Sequence, residues 1–238
     1  MDLSLSFRKY IENYKIIFIT SVLFVFVLFI INPVFSLFGG SLNLSYNLFS
    51  ALPDDIVSSL FAVLIMLFIY SILQTIIIFK VGNTYSISRE LEFKEIKKPF
   101  YRILSFNWIY FLILYFLSLV LYKLNLFNNI ITQLILFIIT VFLWFVPQII
   151  VMENQKVVNS MYISLTYWKN NWFHLITLLV VSFALVFIAM VLDAIFVGIT
   201  GTIISVIFMV LFVIPYIEII KTEIYLNKYK LLKPRHQL

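Results

Sequence analysis

Residues 173–196 read FHLITLLVVSFALVFIAMVLDAIF, with Asp193 as the single carboxylate and His174 at the leading edge. Apolar side chains cover every face of a helix built from this stretch. At roughly 24 residues its length matches a hydrocarbon core about 30 Å thick. A barrel strand would instead alternate apolar and polar residues over about ten positions. The stretch predicts a transmembrane helix. Working outward, five more runs of the same kind stand at about 16–38, 56–79, 103–122, 130–151 and 202–220. The predicted fold is all-α: a single polytopic membrane domain over 1–238, with six transmembrane helices arranged as three hairpins. Amphipathic interfacial helices are expected on the cytoplasmic side.

Composition supports the same class. Of 238 residues, 63% are hydrophobic and 12% charged, whereas soluble domains carry about 25% charge. The absence of Cys excludes disulfides, thiolate catalysis and Cys-based metal sites. Two His, His174 and His236, are too few for a His-rich metal centre. No cofactor is expected. The first apolar run exceeds the 7–15 residues of a signal peptide and has no small-x-small cleavage site, so it reads as a retained helix bent near Asn32-Pro33.

The connecting segments give the expected orientation. Arg8, Lys9 and Lys15 precede the first run, and Lys80, Arg89, Lys94, Lys97, Lys98 and Arg102 follow the second. Lys156 and Lys169 follow the fourth, and Lys221, Lys228, Lys230, Lys233 and Arg235 form the tail. Of the 17 basic residues only Lys123 falls on the other side, with Asp54 and Asp55, which would cap the second helix. The positive-inside rule then places both termini in the cytoplasm of a multi-pass cell-membrane protein.

Within 154–169, Val157, Val158, Met161, Tyr162, Leu165 and Trp168 recur at helical spacing, opposite Gln155, Lys156, Asn159, Ser160, Thr166 and Lys169. This predicts an interfacial amphipathic helix. Weaker versions stand at 3–14 and 85–101, where Pro99 breaks the pattern. Asn13-Tyr14, Asn107-Trp108 and Asn171-Trp172 each open an odd-numbered span. Ser6, Tyr10, Asn13 and Tyr14 further align with Ser164, Trp168, Asn171 and Trp172. Tyr14, Trp108, Trp168 and Trp172 are expected as headgroup anchors. A triplicated hairpin and simple interface statistics both account for the pattern.

The stretch Phe145-Val146-Pro147-Gln148-Ile149-Ile150-Val151-Met152-Glu153, with Ser164 and 168–172, resembles the six-helix membrane domain that accompanies some glycerophosphodiester phosphodiesterases and stands alone in related prokaryotic proteins. The resemblance covers about a quarter of the chain directly. It implies a fold and a membrane role, not hydrolysis, because six spans leave no room for the catalytic domain.

Ionisable residues within spans are the first candidates for chemistry. Asp193 lies near the outer end of the fifth span, either deep enough to need a partner or shallow enough to reach water. His174 and Glu218 stand at similar depth on adjacent helices, where they would form a proton-carrying pair or an interfacial salt bridge. Glu153 would join them. An intramembrane lipid enzyme would have only His174, Glu218, Glu153 and Lys221 to use, and no nucleotide-binding, metalloprotease or serine-hydrolase motif is present. Pro147 and Pro215 predict helix kinks, and Gln74, Asn107, Gln133 and Gln148 predict interhelical hydrogen bonds. The expected function is a non-enzymatic membrane module. Its basic, amphipathic cytoplasmic face would bind anionic lipid, a membrane protein partner or a second copy, and not nucleic acid. The alternative is a small proton-coupled transporter using Asp193 with His174 and Glu218.

Overall fold

The computed structural model describes residues 3–31, 56–85, 96–123, 130–196 and 199–227. The loop 39–55 with its expected acidic caps, the turn at 124–129, most of 85–95, Gly198, the tail from 228 and the side chain of Gln133 lie outside the described residues. The described residues are 95% helical, with no strand among them. The elements are α1 (Leu3–Glu12), α2 (Tyr14–Ile31), α3 (Ile56–Tyr85), α4 (Lys97–Lys123) and α5 (Ile130–Phe142). They continue with α6 (Val146–Glu153), α7 (Val157–Ile195), α8 (Ile199–Phe208), a π-helical turn (Met209–Val213) and α9 (Ile214–Asn227).

Five stretches are long and apolar enough to cross a membrane: Val63–Asn83, Lys97–Leu117, Leu134–Glu153, Asn171–Ile195 and Ile203–Leu226. Tyr14–Val25 is a shorter apolar helix. Their burial differs sharply. The α8–α9 stretch is 67% buried and packs on α1, α3, α6 and α7, whereas the span in α7 is only 22% buried. The C-terminal helix is therefore the centre of the bundle and α7 its flank.

Two of the helix irregularities stand where a proline removes a backbone donor. Pro215 has no N–H for the carbonyl of Leu211, four residues upstream. The helix widens there to i→i+5 bonding, with the Ile214 amide reaching Met209 O, and the Tyr10 hydroxyl donates to Leu211 O at 2.9 Å. At Pro147 the chain tightens instead. The Val146 amide reaches back only to Leu143 O at 3.2 Å, so Phe142 O loses its helical donor. The Ser164 hydroxyl supplies one at 2.8 Å. Each proline thus leaves a carbonyl to be satisfied by a side chain from an amphipathic helix.

Those amphipathic helices sit differently from the sequence expectation. The segment 157–170 continues into the α7 span through a kink at Asn171 (φ −132°, ψ 28°), not as a separate helix. Its predicted apolar face is split. Ser160, Ser164 and Tyr167 point into the bundle, both serines fully buried, while Val158 and Tyr162 are 77% and 67% exposed. Small hydroxyl side chains allow close helix approach and supply donors, so they take the inward face. Trp168 goes with them. It packs edge-on against Phe142 and its buried indole N–H has no partner among the described residues, so it is not an outward anchor.

Two of the three repeat copies behave alike. Ser6 and Ser164 are both fully buried, and Asn13 and Asn171 both stand at a break. Each of these Asn amides donates to the carbonyl four residues earlier, Lys9 O at 2.9 Å and Tyr167 O at 3.2 Å. The next residues, Tyr14 and Trp172, are both exposed. Asn107 departs from this pattern. It lies inside the continuous helix α4 and donates across to Ser71 Oγ at 2.8 Å.

Candidate functional site

Glu218 and Lys221 share one face of α9 at i, i+3 spacing, and both are buried. Lys221 Nζ donates to Glu218 Oε1 at 2.8 Å, and Gln74 Nε2 of α3 reaches the same oxygen at 3.0 Å. Gln148 Nε2 of α6 donates to Oε2 at 2.7 Å. Asn107 of α4 extends the network, donating to Ser71 Oγ and, at 3.5 Å, to Gln74 Oε1. Ser71 in turn donates to Leu67 O at 2.6 Å. Three helices meet at this carboxylate and α4 joins them through Ser71 and Gln74, while the charge is balanced within α9 itself. Such a pair is tolerable away from water only when its remaining hydrogen-bonding groups also find partners. One atom does not: Gln148 Oε1 is buried without a donor among the described residues.

Beside the pair lies a cavity of about 20 Å3, lined by Gln74, Asn107, Tyr110, Thr140, Trp144 and Lys221 among others. The threshold for holding one water is about 10–15 Å3.

Two sequence expectations need correction. Lys221 is not part of a solvated tail, because α9 runs on to Asn227 and the ammonium is only 2% exposed against Glu218. Glu218 does not pair with His174. The inward residues of α7 at that level are Leu175 and Leu178, while His174 stands half-buried on the flank beside the Phe173 ring. Asp193 is half-buried near the end of α7, with no hydrogen bond or ion pair from its side chain among the described residues. Glu153 closes α6 and accepts a short hydrogen bond from the Tyr225 hydroxyl. Among the described residues no cluster of three or more His, Asp or Glu could hold a metal ion.

A second polar feature lies where α6 ends. Asn154 adopts the left-handed conformation (φ 53°) that closes helices. Arg102, from the first turns of α4, donates through Nη1 to Asn154 O at 2.5 Å, Asn154 Oδ1 at 2.7 Å and Gln155 O at 3.1 Å. A cation at a helix C-terminus complements its dipole. In the sequence Arg102 is legible only as a topology charge. On α1, Lys9 and Arg8 both bond Glu12, and the Lys9 hydrogen bond holds its carboxyl below the ordinary carboxylate range.

Comparisons with protein-family models, with curated proteins and with solved structures find no match.

Proposed function

We propose that this chain is a six-span cell-membrane module, with both termini and the amphipathic helices on the cytoplasmic side, that holds anionic lipid without catalysing a reaction. One observation carries the reading. The segment 157–170 is fastened to the bundle by the Ser164 and Tyr167 hydroxyls, which donate to Phe142 O and Ile224 O, yet it leaves Val158, Tyr162 and Leu165 exposed as a continuous stripe ending at exposed Lys169. On α1, Phe7, Ile11 and Tyr14 make a second exposed stripe, followed by exposed Lys15. An apolar stripe flanked by Lys, held at a fixed angle, suits the boundary between acyl chains and anionic headgroups.

The test is native mass spectrometry of the full chain released from vesicles of equal phosphatidylcholine and phosphatidylglycerol. Retention enriched in phosphatidylglycerol, and lost in a Lys15→Glu, Lys156→Glu, Lys169→Glu variant, is the expected result. Unbiased retention, or enrichment that survives the charge reversals, would end the lipid reading. A stoichiometric protein partner from native membranes would replace lipid with a membrane protein as what the module binds.

A further inference from the structure

We infer that Arg102, Lys98 and Lys156 form a binding site for a lipid whose headgroup ends in a phosphomonoester. This site deepens the lipid-holding role proposed for the chain and rests on it. All the hydrogen bonds of the Arg102 side chain among the described residues leave from Nη1, to Asn154 O, Asn154 Oδ1 and Gln155 O. Nη2 and Nε make none there, so part of the guanidinium fork is held in place and unused. Capping α6 takes one nitrogen, which a lysine could supply. A fixed fork with spare donors is what bidentate phosphate recognition requires.

Two more cations flank Arg102. Lys98 stands one turn earlier on the same face of α4, at i, i+4 spacing. Lys156 follows directly on Gln155, whose carbonyl Arg102 holds at 3.1 Å. Ile96 and Val157 pack against the same apolar cluster, which keeps the start of α4 beside the start of α7. Both lysines are exposed, and neither makes an ion pair among the described residues. Glu153 is the described carboxylate nearest to this group in sequence, and the Tyr225 hydroxyl engages it. Three cations against one carboxylate leave an excess of positive charge. A phosphomonoester answers it with about −1.5 to −2 at neutral pH and three terminal oxygens, more charge and more acceptors than a diester brings.

Position selects a lipid over a soluble ester. Val158, two residues past Lys156, opens the exposed apolar stripe that continues at Tyr162, and Tyr101 beside Arg102 is exposed as well. The cations therefore stand at the edge of apolar surface suited to acyl chains.

Phosphatidic acid and phosphatidylglycerol are the discriminating probes, a monoester and a diester on the same acyl chains. The full chain is released from phosphatidylcholine vesicles containing equal amounts of both and weighed by native mass spectrometry. Expected is enrichment of both over phosphatidylcholine, with phosphatidic acid well ahead. Arg102→Lys keeps the charge and a donor for Asn154 but loses the fork. It should cut the lead of phosphatidic acid about tenfold, the worth of one charge-assisted hydrogen bond. Lys98→Gln, which removes no hydrogen bond or ion pair among the described residues, should reduce the lead too, and it carries the test if Arg102→Lys does not fold. Equal retention of the two anionic lipids would overturn this site and leave the lipid reading standing, whereas enrichment of neither would end both. A lead unchanged in either variant would also overturn the site, as would displacement of bound phosphatidic acid by soluble glycerol phosphate.

Discussion

The hydroxyl of Tyr10 donates at 2.9 Å to the carbonyl oxygen of Leu211, the one carbonyl that Pro215 deprives of its helical partner. Tyr10 also sets its ring edge-on to Phe212 and Tyr216, at centroid distances of 5.2 and 6.4 Å. The first helix thus repairs the defect in the last span. Tyr10→Phe keeps the ring contacts and strands the carbonyl, at a cost of about 1–3 kcal/mol. In a Pro215→Ala background the amide returns, and the same substitution should cost clearly less. Equal losses in the two backgrounds, measured by thermal unfolding in nanodiscs, would show that the bond does not compensate for the proline.

Glu218→Leu and Lys221→Met should each destabilise the bundle by about 3–5 kcal/mol, because each leaves a buried charge unpaired. The double variant should recover much of that loss. Chemical unfolding of the three variants checks the sign of the coupling.

Two glycines should respond oppositely to a methyl group. At Gly201 an added Cβ would run into the backbone oxygens of Phe196 and Asp193, which cannot swing aside as a side chain does. At Gly82 the nearest atom is Met152 Sδ at 2.5 Å, the end of a flexible side chain. Gly201→Ala should abolish folded protein, and Gly82→Ala should leave a monodisperse species. Size-exclusion profiles of the two decide it.

The chain contains no Cys, so single introduced cysteines report sidedness directly. Cysteines at Lys9, Lys98 and Lys156 should react with an impermeant maleimide only from the cytoplasmic face, and one at Lys123 only from the outside. Labelling of Lys123 from the same side as Lys156 would remove the six-span arrangement.

Glu12 gives the pH dependence of α1. Its folded carboxyl lies below the ordinary value of about 4.3, so its contribution is complete above that value. It is lost as pH falls through the lowered folded value. The pair is partly exposed, so the effect is that of a surface ion pair. Protease sensitivity of the N-terminal helix should rise modestly in acid, and Glu12→Gln should remove the rise.

Five spans are legible in the sequence because 18 or more apolar residues in a row have few soluble uses, while the first expected run is described only as the shorter apolar helix Tyr14–Val25. The inward faces of these spans are not. Lipid is as apolar as Leu, so Phe183, exposed on α7, and Phe145, fully buried, look the same in a hydropathy pattern. Polar residues carried more of the signal. Gln74, Asn107 and Gln148 read as interhelical bonds, and all three make them. The carboxylate that two of them share comes from α9, 144 residues after Gln74, and no local spacing announces that meeting. His174 looked like the natural partner of Glu218 by depth alone. Depth fixes one coordinate, whereas pairing also depends on rotation about the helix axis, which the Asn171 kink resets.

Ser6 bonds Glu223, a residue 217 positions further along. During synthesis at 5–20 residues per second, α1 therefore leaves the ribosome roughly 10–40 s before its docking surface exists. Throughout that interval its inward face, Ser6 and Tyr10, lacks the partners that Glu223 and Leu211 O supply in the finished bundle. The first helix to be made is among the last to be seated.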